Sequence, residues 1–369
     1  MSNTNNNFSK YRINKSNHNV NNSETVSCLA CNPKGEKPNI IVGFDNGMIT
    51  LFNFDVKGNF TFIDTVYGHT SNVLFILFNP INSLIFVSYS SNGKLILWNF
   101  MNSDIKYITK IVRIDKSIIF NYDGSILCFR DEEFLSLYKI KINYPKRNNQ
   151  NKSIKVLFDE SNKIMCETSE LGNSDNYSLF FHPNKNILFI GFNDPKSIVV
   201  CSVNDLSNEL TAFSKIDSNI INKNICSSCL NITGTILFLV NEDILCIIDI
   251  SEDCTLFEKR KEYDLKKYFI NPTIMLLFHP KNPEILMLYD LFNIIILKIT
   301  LSKITCLYEY RHPTEITSCS FNFSGNSIIF SSENKLVILE LKLNIVNNNR
   351  LNKKTNMMRM LGNIKVSAS

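Results

Sequence analysis

Short apolar runs alternate along this chain with polar segments that are rich in turn-forming residues. Residues 73–100 show the arrangement most clearly, because three apolar runs are joined there by a turn at Asn79-Pro80 and a turn at Asn92-Gly93. Asn-Gly supplies the positive φ angles that a tight hairpin requires, and a proline cannot continue a strand ladder. A helix would instead need apolar residues every three or four positions. The pattern therefore predicts three β-strands connected by tight turns.

The same arrangement recurs six more times. Each copy has apolar runs bounded by turn residues, and the copies begin about 43 to 60 residues apart. Repeats of this period indicate stacked or ring-shaped repeat architectures rather than unrelated domains. The six further copies are residues 26–54, 117–140, 178–202, 225–250, 273–299 and 316–341. Because apolar runs of this length suit sheets that are buried on both faces, we expect the copies to pack against one another.

Residues at the ends of the clearest copy resemble a known family. Gly68-His69 precedes its first strand, and Trp98-Asn99 ends its third. A Gly-His pair before short strands that end in a Trp dipeptide is the signature of WD repeats. The resemblance implies an all-β chain that folds as a single seven-bladed WD-repeat β-propeller of four-stranded antiparallel blades. It also implies that these four residues are a structural signature, and it leaves the partner-binding residues unknown.

The copies divide the chain into three parts. Residues 1–22 form a polar, Asn-rich leader, residues 23–345 form the propeller, and residues 346–369 form a basic tail. Eight or six blades remain alternatives, because the interval 143–175 is the longest between copies. We expect a surface insertion in that interval, around its charged and Asn-rich residues 146–155.

The two ends of the chain raise linked questions: which of them closes the ring, and whether the C-terminal tail belongs to it. A closed ring leaves few free strand edges, so we expect one terminus to supply a closing strand, with Phe8–Ile13 favoured over residues 357–366. We expect the tail to lie outside the ring, either disordered or as a short amphipathic helix that stops at Gly362. Its removal should then leave thermal stability nearly unchanged.

Composition narrows the class of protein only slightly. The formal charge is +5 and the pI is about 8.5. Much of the excess lies in the tail, whereas a nucleic-acid-binding domain usually concentrates a stronger bias on one face. Charge therefore argues only weakly for a nucleic-acid partner. No apolar run approaches the roughly 18 residues of a membrane-spanning helix, so we expect no membrane partner.

The cysteines predict neither disulfides nor metal. There are 11 of them in a long chain that has no apolar N-terminal signal segment. We therefore expect an intracellular protein with reduced thiols, cytoplasmic with the nucleus as the alternative. The pairs Cys28/Cys31 and Cys226/Cys229 lie in strand-like runs, where residues three apart point to opposite faces. We interpret them as buried small side chains and expect no metal and no cofactor.

No pattern of catalytic residues appears in the sequence. Phosphate-binding glycine loops, HExxH and GxSxG are absent, which predicts that the chain is not an enzyme. His182 and His279 occupy the same place in two copies, each before a proline, so a structural role explains both. His69 resembles the family histidine that orders a hydrogen-bond network within a blade. Its usual aspartate partner is missing, since Ser91-Asn92-Gly93 stands in that turn, which puts the complete network in doubt.

The sequence thus predicts a non-catalytic scaffold that holds other proteins in a complex. Four stretches resemble the family of propeller subunits in the actin-related protein complex that nucleates branched actin filaments: Val26–Ala30, Val112–Asp115, Ser178–Asn184, and Val240–Asp243 with Cys246. That resemblance implies actin-related partners, although the family's long insertion between its last two blades is reduced here to Thr300–Glu315. The alternative is a scaffold in ribonucleoprotein or ribosome assembly, with the basic tail as an RNA-binding or import element.

Overall fold

The structure is a computed structural model, and it describes most of the chain between residues 24 and 365. The described residues are 24–36, 39–55, 60–100, 104–108, 118–130, 134–143, 155–167, 177–193, 196–204, 209–221, 223–269, 274–333, 335–341 and 358–365. For residues 104–108, 134, 142–143, 155–167, 177 and 358–365 the description is limited to the backbone. The leader and the Phe8–Ile13 segment lie outside the described residues.

Twenty-eight strands make up seven sheets of four strands each. The strands of blades 1 to 4 are β1 Val26–Cys31, β2 Ile40–Phe44, β3 Met48–Phe54, β4 Phe60–Tyr67; β5 Val73–Phe78, β6 Ile85–Ser90, β7 Leu95–Asn99, β8 Asp104–Ile108; β9 Ile118–Phe120, β10 Ile126–Arg130, β11 Phe134–Asn143, β12 Lys155–Glu167; and β13 Tyr177–Phe181, β14 Ile187–Asn193, β15 Lys196–Asn204, β16 Glu209–Ile216. Those of blades 5 to 7 are β17 Ile225–Leu230, β18 Ile236–Asn241, β19 Ile244–Ile250, β20 Phe257–Asp264; β21 Met275–Phe278, β22 Ile285–Tyr289, β23 Asn293–Ile299, β24 Ile304–Arg311; and β25 Ile316–Phe321, β26 Ser327–Ser332, β27 Lys335–Leu341, β28 Met358–Lys365.

Each blade is a continuous antiparallel meander, and the seven blades confirm the predicted all-β propeller. The described part of the chain contains no helix. The predicted hairpin turns join the second and third strands, as at Gly93, whose φ is 81°. In such a meander, the turns between first and second strands lie at one end of the blade, together with those between third and fourth strands. The other connections lie at the opposite end, so the ring has two distinct faces.

The hydrophobic core consists of seven clusters, one between each pair of neighbouring blades. Side chains from both faces of each sheet contribute, because successive strand residues point to opposite sides. The cluster that joins the seventh blade to the first contains Ile329, Leu336 and Ile338 on one side and Val42 and Phe44 on the other. The apolar runs are therefore buried on both faces, and the ring is closed.

The first strands of neighbouring blades line the axis and are linked by hydroxyl side chains. At the junction of the last and first blades, which we call the seam, Thr317 Oγ1 donates a hydrogen bond to the carbonyl of Val26 (3.2 Å), and Leu29 N donates to Ser318 Oγ (3.3 Å). Ser27 Oγ likewise donates to the carbonyl of Val73 in the second blade (2.6 Å). Side-chain bonds and apolar packing thus join the blades at the seam, and no described strand crosses it.

The structure corrects the expectation for the tail. Met358–Lys365 forms β28, the fourth strand of the last blade, and pairs antiparallel with β27. A tail outside the ring is therefore wrong for these eight residues, which continue the strand ladder through Gly362 rather than ending a helix there. The reason is the free edge of β27, which any blade with three strands would expose. The rest of the tail lies outside the described residues.

The expected surface insertion is also corrected in part. Lys155–Glu167 forms β12, the fourth strand of the third blade, paired with β11. The longest interval between copies therefore holds an extended outer strand, and the blade count stays at seven. Residues 144–154 and 168–176 lie outside the described residues.

Candidate functional site

Two of the four signature residues, His69 and Trp98, belong to a buried hydrogen-bond network of the second blade. Trp98 Nε1 donates to Ser88 Oγ (2.7 Å), and Ser88 Oγ lies 2.6 Å from His69 Nε2. On the other side of the imidazole, His69 Nδ1 lies 2.7 Å from Ser90 Oγ, which donates to Asn92 Oδ1 (2.7 Å). Because the Ser90 proton is directed to Asn92, His69 donates from Nδ1 and accepts from Ser88 at Nε2.

Ser90 and Asn92 take the place of the missing aspartate as the hydrogen-bond partners on the Nδ1 side of His69. A hydroxyl followed by an amide oxygen offers the histidine an acceptor without a charge. Burial, with a further contribution from the Lys94 ammonium, lowers the pKa of His69 to about 4. The ring is therefore neutral at physiological pH, which fits a network with no carboxylate. The sequence did not predict this arrangement, because two residues, Ser90 and Asn92, together replace a single aspartate.

Gly68 and Asn99 complete the surroundings of the tryptophan. A Cβ atom at Gly68 would lie 2.7 Å from Trp98 Cη2, so the indole itself requires glycine at this position. Trp98 is only 4% exposed and stacks on Phe86, with ring centroids 5.7 Å apart. Asn99 is buried at the end of β7, where it pairs with Ile85. His69, Trp98 and Asn99 are therefore buried within the blade, and Gly68 packs against the indole.

Replacing the tryptophan should be costly. We expect Trp98→Ala to lower the free energy of unfolding by about 3–5 kcal/mol, because it removes a buried ring and leaves Ser88 without its donor. Trp98→Phe keeps the aromatic stacking and loses only the Nε1 donor, so it should cost about 1–2 kcal/mol. Because the chain has one tryptophan, unfolding should be followed by circular dichroism. Equal stability of the alanine variant and the natural protein would contradict the packing described.

A second recurring feature is the set of turns between the first and second strands, which we call the turn ring. The residue that follows each first strand is a polar cap, buried in every blade except the last, where it is half-buried. The caps are Asn32, Asn79, Asn121, His182, Asn231, His279 and Asn322. Each accepts a backbone N–H of its own turn, at 2.8 to 3.1 Å. The two histidines use Nδ1 where asparagine uses Oδ1, which explains their shared place.

Four caps also reach into the next blade, and one of them is Asn121, whose Nδ2 donates to Asn186 Oδ1 (2.9 Å). Asn79 Nδ2 donates to the carbonyl of Gly124 (2.9 Å), and His279 Nε2 lies 3.2 Å from the carbonyl of Gly325. A Cβ atom at Gly325 would lie 2.0 Å from His279 Nε2, and one at Gly234 would lie 2.0 Å from His182 Nε2. The caps of the second, fourth and sixth blades therefore insert against glycines of the third, fifth and seventh. These contacts fasten neighbouring turns to each other.

The comparisons with known proteins can now be set beside this geometry. Residues 60–99 match the family described as WD40: WD domain, G-beta repeat. This stretch is similar to a WD40 repeat. It contains β4, the outer strand of the first blade, and the first three strands of the second. The matched stretch therefore spans two blades, and the His69 network lies inside it.

The solved structures support the same fold. The β-propeller domain of Cps50 (Swd1) from Myceliophteria thermophila superimposes with a TM-score of 0.58, over 83% of this chain and 93% of that domain. The two sequences are 11% identical, so the likeness concerns the fold. No curated protein matches the chain in sequence. WD40 propellers are typically protein-interaction scaffolds, and this chain shares their fold and one stretch of their repeat sequence.

Most cysteines of the described residues lie in or against the cores, but Cys226 is exposed, so its interpretation as a buried side chain is wrong. Cys28 lies in the cluster between the first two blades, and Cys31 packs against the cluster at the seam, so the pair points in opposite directions as expected. Burial raises the pKa of both thiols to about 12. In the part of the chain that the structure describes, no group of three or more His, Cys, Asp or Glu residues could hold a metal ion. Among the same residues, no helix is long and apolar enough to cross a membrane.

Acid should weaken the ring through its buried histidines. Burial lowers the pKa of His69 and His182 to about 4 and also lowers those of His279 and His312. The unfolded chain, with an ordinary histidine pKa of 6.5, then binds more protons than the folded one. Stability is therefore full above about pH 6.5 and falls as the pH drops toward 4. At about 1.4 kcal/mol for each tenfold difference in proton affinity, His69 alone contributes on the order of 3 kcal/mol.

Thermal unfolding across this pH range measures the effect. The matched variant is His182→Asn with His279→Asn, because asparagine fills the same place in five other blades. We expect the double variant to retain its turns and to lose part of the acid sensitivity. An unchanged pH profile would show that these two imidazoles do not contribute to it.

Proposed function

We propose that this chain is a non-catalytic protein-interaction scaffold and a subunit of a multiprotein complex. The observation that carries the proposal is the closed ring itself, in which seven inter-blade cores hold the turns of both faces on one frame. Eleven large apolar side chains are exposed on the described residues, and they are spread over both faces and the outer strands. Apolar groups in several separate places suit a protein that contacts more than one partner.

A finer version of the proposal assigns the chain to the cytoplasm and to a complex with actin-related proteins. Its support is the sequence resemblance of Val26–Ala30, in β1, and of Ser178–Asn184, in β13 and its turn. The stretch Val112–Asp115 lies outside the described residues. His182, within Ser178–Asn184, is a turn cap, and the same Phe-His-Pro sequence recurs at His279. The turn-cap role of the histidine therefore accounts for part of that resemblance without any relation to the actin-complex family.

The ribonucleoprotein alternative depended on a basic tail free of the ring. Arg359 and Lys365 instead belong to β28, which is paired along its length with β27. A strand held in a ladder is a poorer RNA-binding arm than a free segment, because its residues cannot rearrange along a nucleic-acid backbone. This observation favours proteins over RNA as the partners.

Co-purification of the tagged full-length chain tests the proposal. We expect a fixed set of proteins, identified by mass spectrometry, to remain bound after nuclease treatment and at raised salt. Trp98→Ala is the matched control, because it destabilises the ring. Proteins that bind this variant as well as they bind the natural protein recognise exposed core residues and not a native face. Actin-related proteins in the set would support the finer version. Capture that disappears with nuclease or falls steeply with salt would favour the RNA alternative, and no specific capture would refute the scaffold.

A further inference from the structure

One sector of the turn ring exposes apolar and basic side chains in alternation around the mouth of the channel. Following the ring from the sixth blade through the seam to the third, these residues are Lys281, Phe323, Lys34, Ile81 and Tyr122, which we call the arc. Ile81 is 50% exposed, Phe323 39% and Tyr122 38%. All five lie one or two residues after a cap, and four of those caps are buried while Asn322 is half-buried, so the caps fix their positions.

Contacts between neighbouring turns make the arc continuous. Lys281 Nζ lies 4.0 Å from the centroid of the Phe323 ring, and that ring lies against Gly35 of the first blade. Ser83 Oγ donates a hydrogen bond to Glu36 Oε2, which joins the first blade to the second. The bond from Asn79 to Gly124 joins the second blade to the third. The arc is therefore one surface across five blades and not a set of separate loops.

Turn chemistry does not explain the aromatic residues of the arc. The position after the cap is apolar in every blade, and four blades have proline there, which suits the second position of a tight turn. The seven residues are Pro33, Pro80, Tyr122, Pro183, Ile232, Pro280 and Phe323. Tyr122 and Phe323 have no such conformational reason, and a large exposed ring at this position has an unfavourable contact with water. Exposed apolar groups gathered at one place on a surface mark an interaction site.

The free charges of the arc are positive. Lys34 and Lys281 are exposed, and neither ammonium forms an ion pair with a carboxylate of the described residues. Glu36 and Asp123 keep their negative charge, but each is hydrogen-bonded to a neutral donor and not to either lysine: Glu36 accepts from Ser83, and Asp123 accepts from Ser125 N (2.9 Å). Glu284, in the turn of the sixth blade, is paired with Lys298 (3.3 Å). The ammonium groups of Lys34 and Lys281 therefore remain available to carboxylates of a ligand whose apolar side chains cover Ile81, Tyr122 and Phe323.

We propose that the arc binds a segment of a partner protein in which apolar side chains are flanked by aspartate or glutamate. This inference rests on the scaffold function proposed above and assigns it a face and a partner chemistry. The segments on either side of the propeller have the wrong charge for this position, since residues 1–23 contain three basic residues and residues 342–357 contain four, with no acidic residue in either. The occupant is thus a second protein.

Selection of displayed random peptides on the full-length protein tests the inference. We expect the enriched peptides to combine apolar residues with Asp or Glu, and we expect synthetic copies to bind in fluorescence anisotropy. Binding should weaken roughly tenfold or more in Lys34→Glu with Lys281→Glu, and in Ile81→Ser with Tyr122→Ser. These four side chains point away from the cores, so the variants should fold, as circular dichroism will show.

Two control variants separate the arc from the rest of the surface. Leu291→Ser removes an exposed apolar side chain from the opposite face, and Lys303→Glu reverses a charge on the same face but outside the arc. Both should bind like the natural protein. Enrichment of basic peptides, no enrichment, or binding that only Leu291→Ser abolishes would each overturn the inference. If partners co-purify as proposed but the arc variants leave their capture unchanged, the inference fails and the scaffold function stands.

Discussion

Truncation of the chain after residue 356 should lower the free energy of unfolding by roughly 4–7 kcal/mol, at about 0.5–1 kcal/mol for each ladder hydrogen bond lost. The truncation removes β28, whose residues pair with β27 from Lys335 to Leu341. It leaves β27 as an unpaired edge in the last blade, next to the seam, and such an edge is prone to pair with other molecules. We therefore expect aggregation on heating as well as a lower unfolding temperature.

Removal of residues 366–369 alone is the matched control for this truncation. It takes four residues from the same terminus and leaves the strand intact. Thermal unfolding and light scattering of the three proteins would measure the difference. If the longer truncation unfolds at the same temperature as the full chain, then β28 does not stabilise the ring, and the sequence-based expectation of a separable tail is restored.

Substitution of the turn-ring glycines should also be severe. Gly234 and Gly325 each have a φ of 75°, a conformation that costs an L-residue about 1–2 kcal/mol. In addition, the new methyl group would lie 2.0 Å from the imidazole of the preceding blade. Because the caps are buried against the ring and cannot move freely, overpacking should add about 1–3 kcal/mol. We expect Gly234→Ala and Gly325→Ala each to lower the free energy of unfolding by about 2–5 kcal/mol.

A double-mutant cycle distinguishes the two costs. His182→Ala removes the ring that Gly234→Ala would meet, so the double variant should lose less stability than the sum of the single variants. The remaining loss is the backbone cost of a positive φ and the lost turn cap. Strict additivity in denaturant unfolding would mean that the histidine and the glycine do not touch, and that the turns are not fastened to one another in this way.

The sequence predicted the inner three strands of each blade well and the outer strand poorly. Inner strands such as Ile85–Ser90 are buried throughout, so their apolar runs are unmistakable. The fourth strand covers the blade from outside and exposes much of its surface to water. Phe257–Asp264, with the sequence FEKRKEYD, is a clear example, and it has no apolar run to detect. The same weakness explains why Met358–Lys365 was interpreted as a tail and Lys155–Glu167 as part of an insertion.

The candidate site was predictable only within one blade. The sequence identified Gly68, His69 and Trp98 from a single repeat, and it recognised the shared place of His182 and His279. It did not predict that each histidine meets a glycine of the following blade, since such pairs are separated by a whole repeat and leave no local pattern. The arc was missed for the same reason, because its residues come from five turns that only the closed ring brings together.

The construction of every blade from consecutive residues has a consequence for synthesis on the ribosome. As each group of four strands leaves the exit tunnel, all of its ladder partners are already present, so a blade can form without waiting for a distant part of the chain. The seam is different, because its hydrogen bonds join residues 289 and 291 positions apart. Contacts of such long range form slowly, so the newly made chain should spend time as an open crescent that exposes the first blade. During that interval, the unsealed edges between the first and last blades are where a chaperone would have to act.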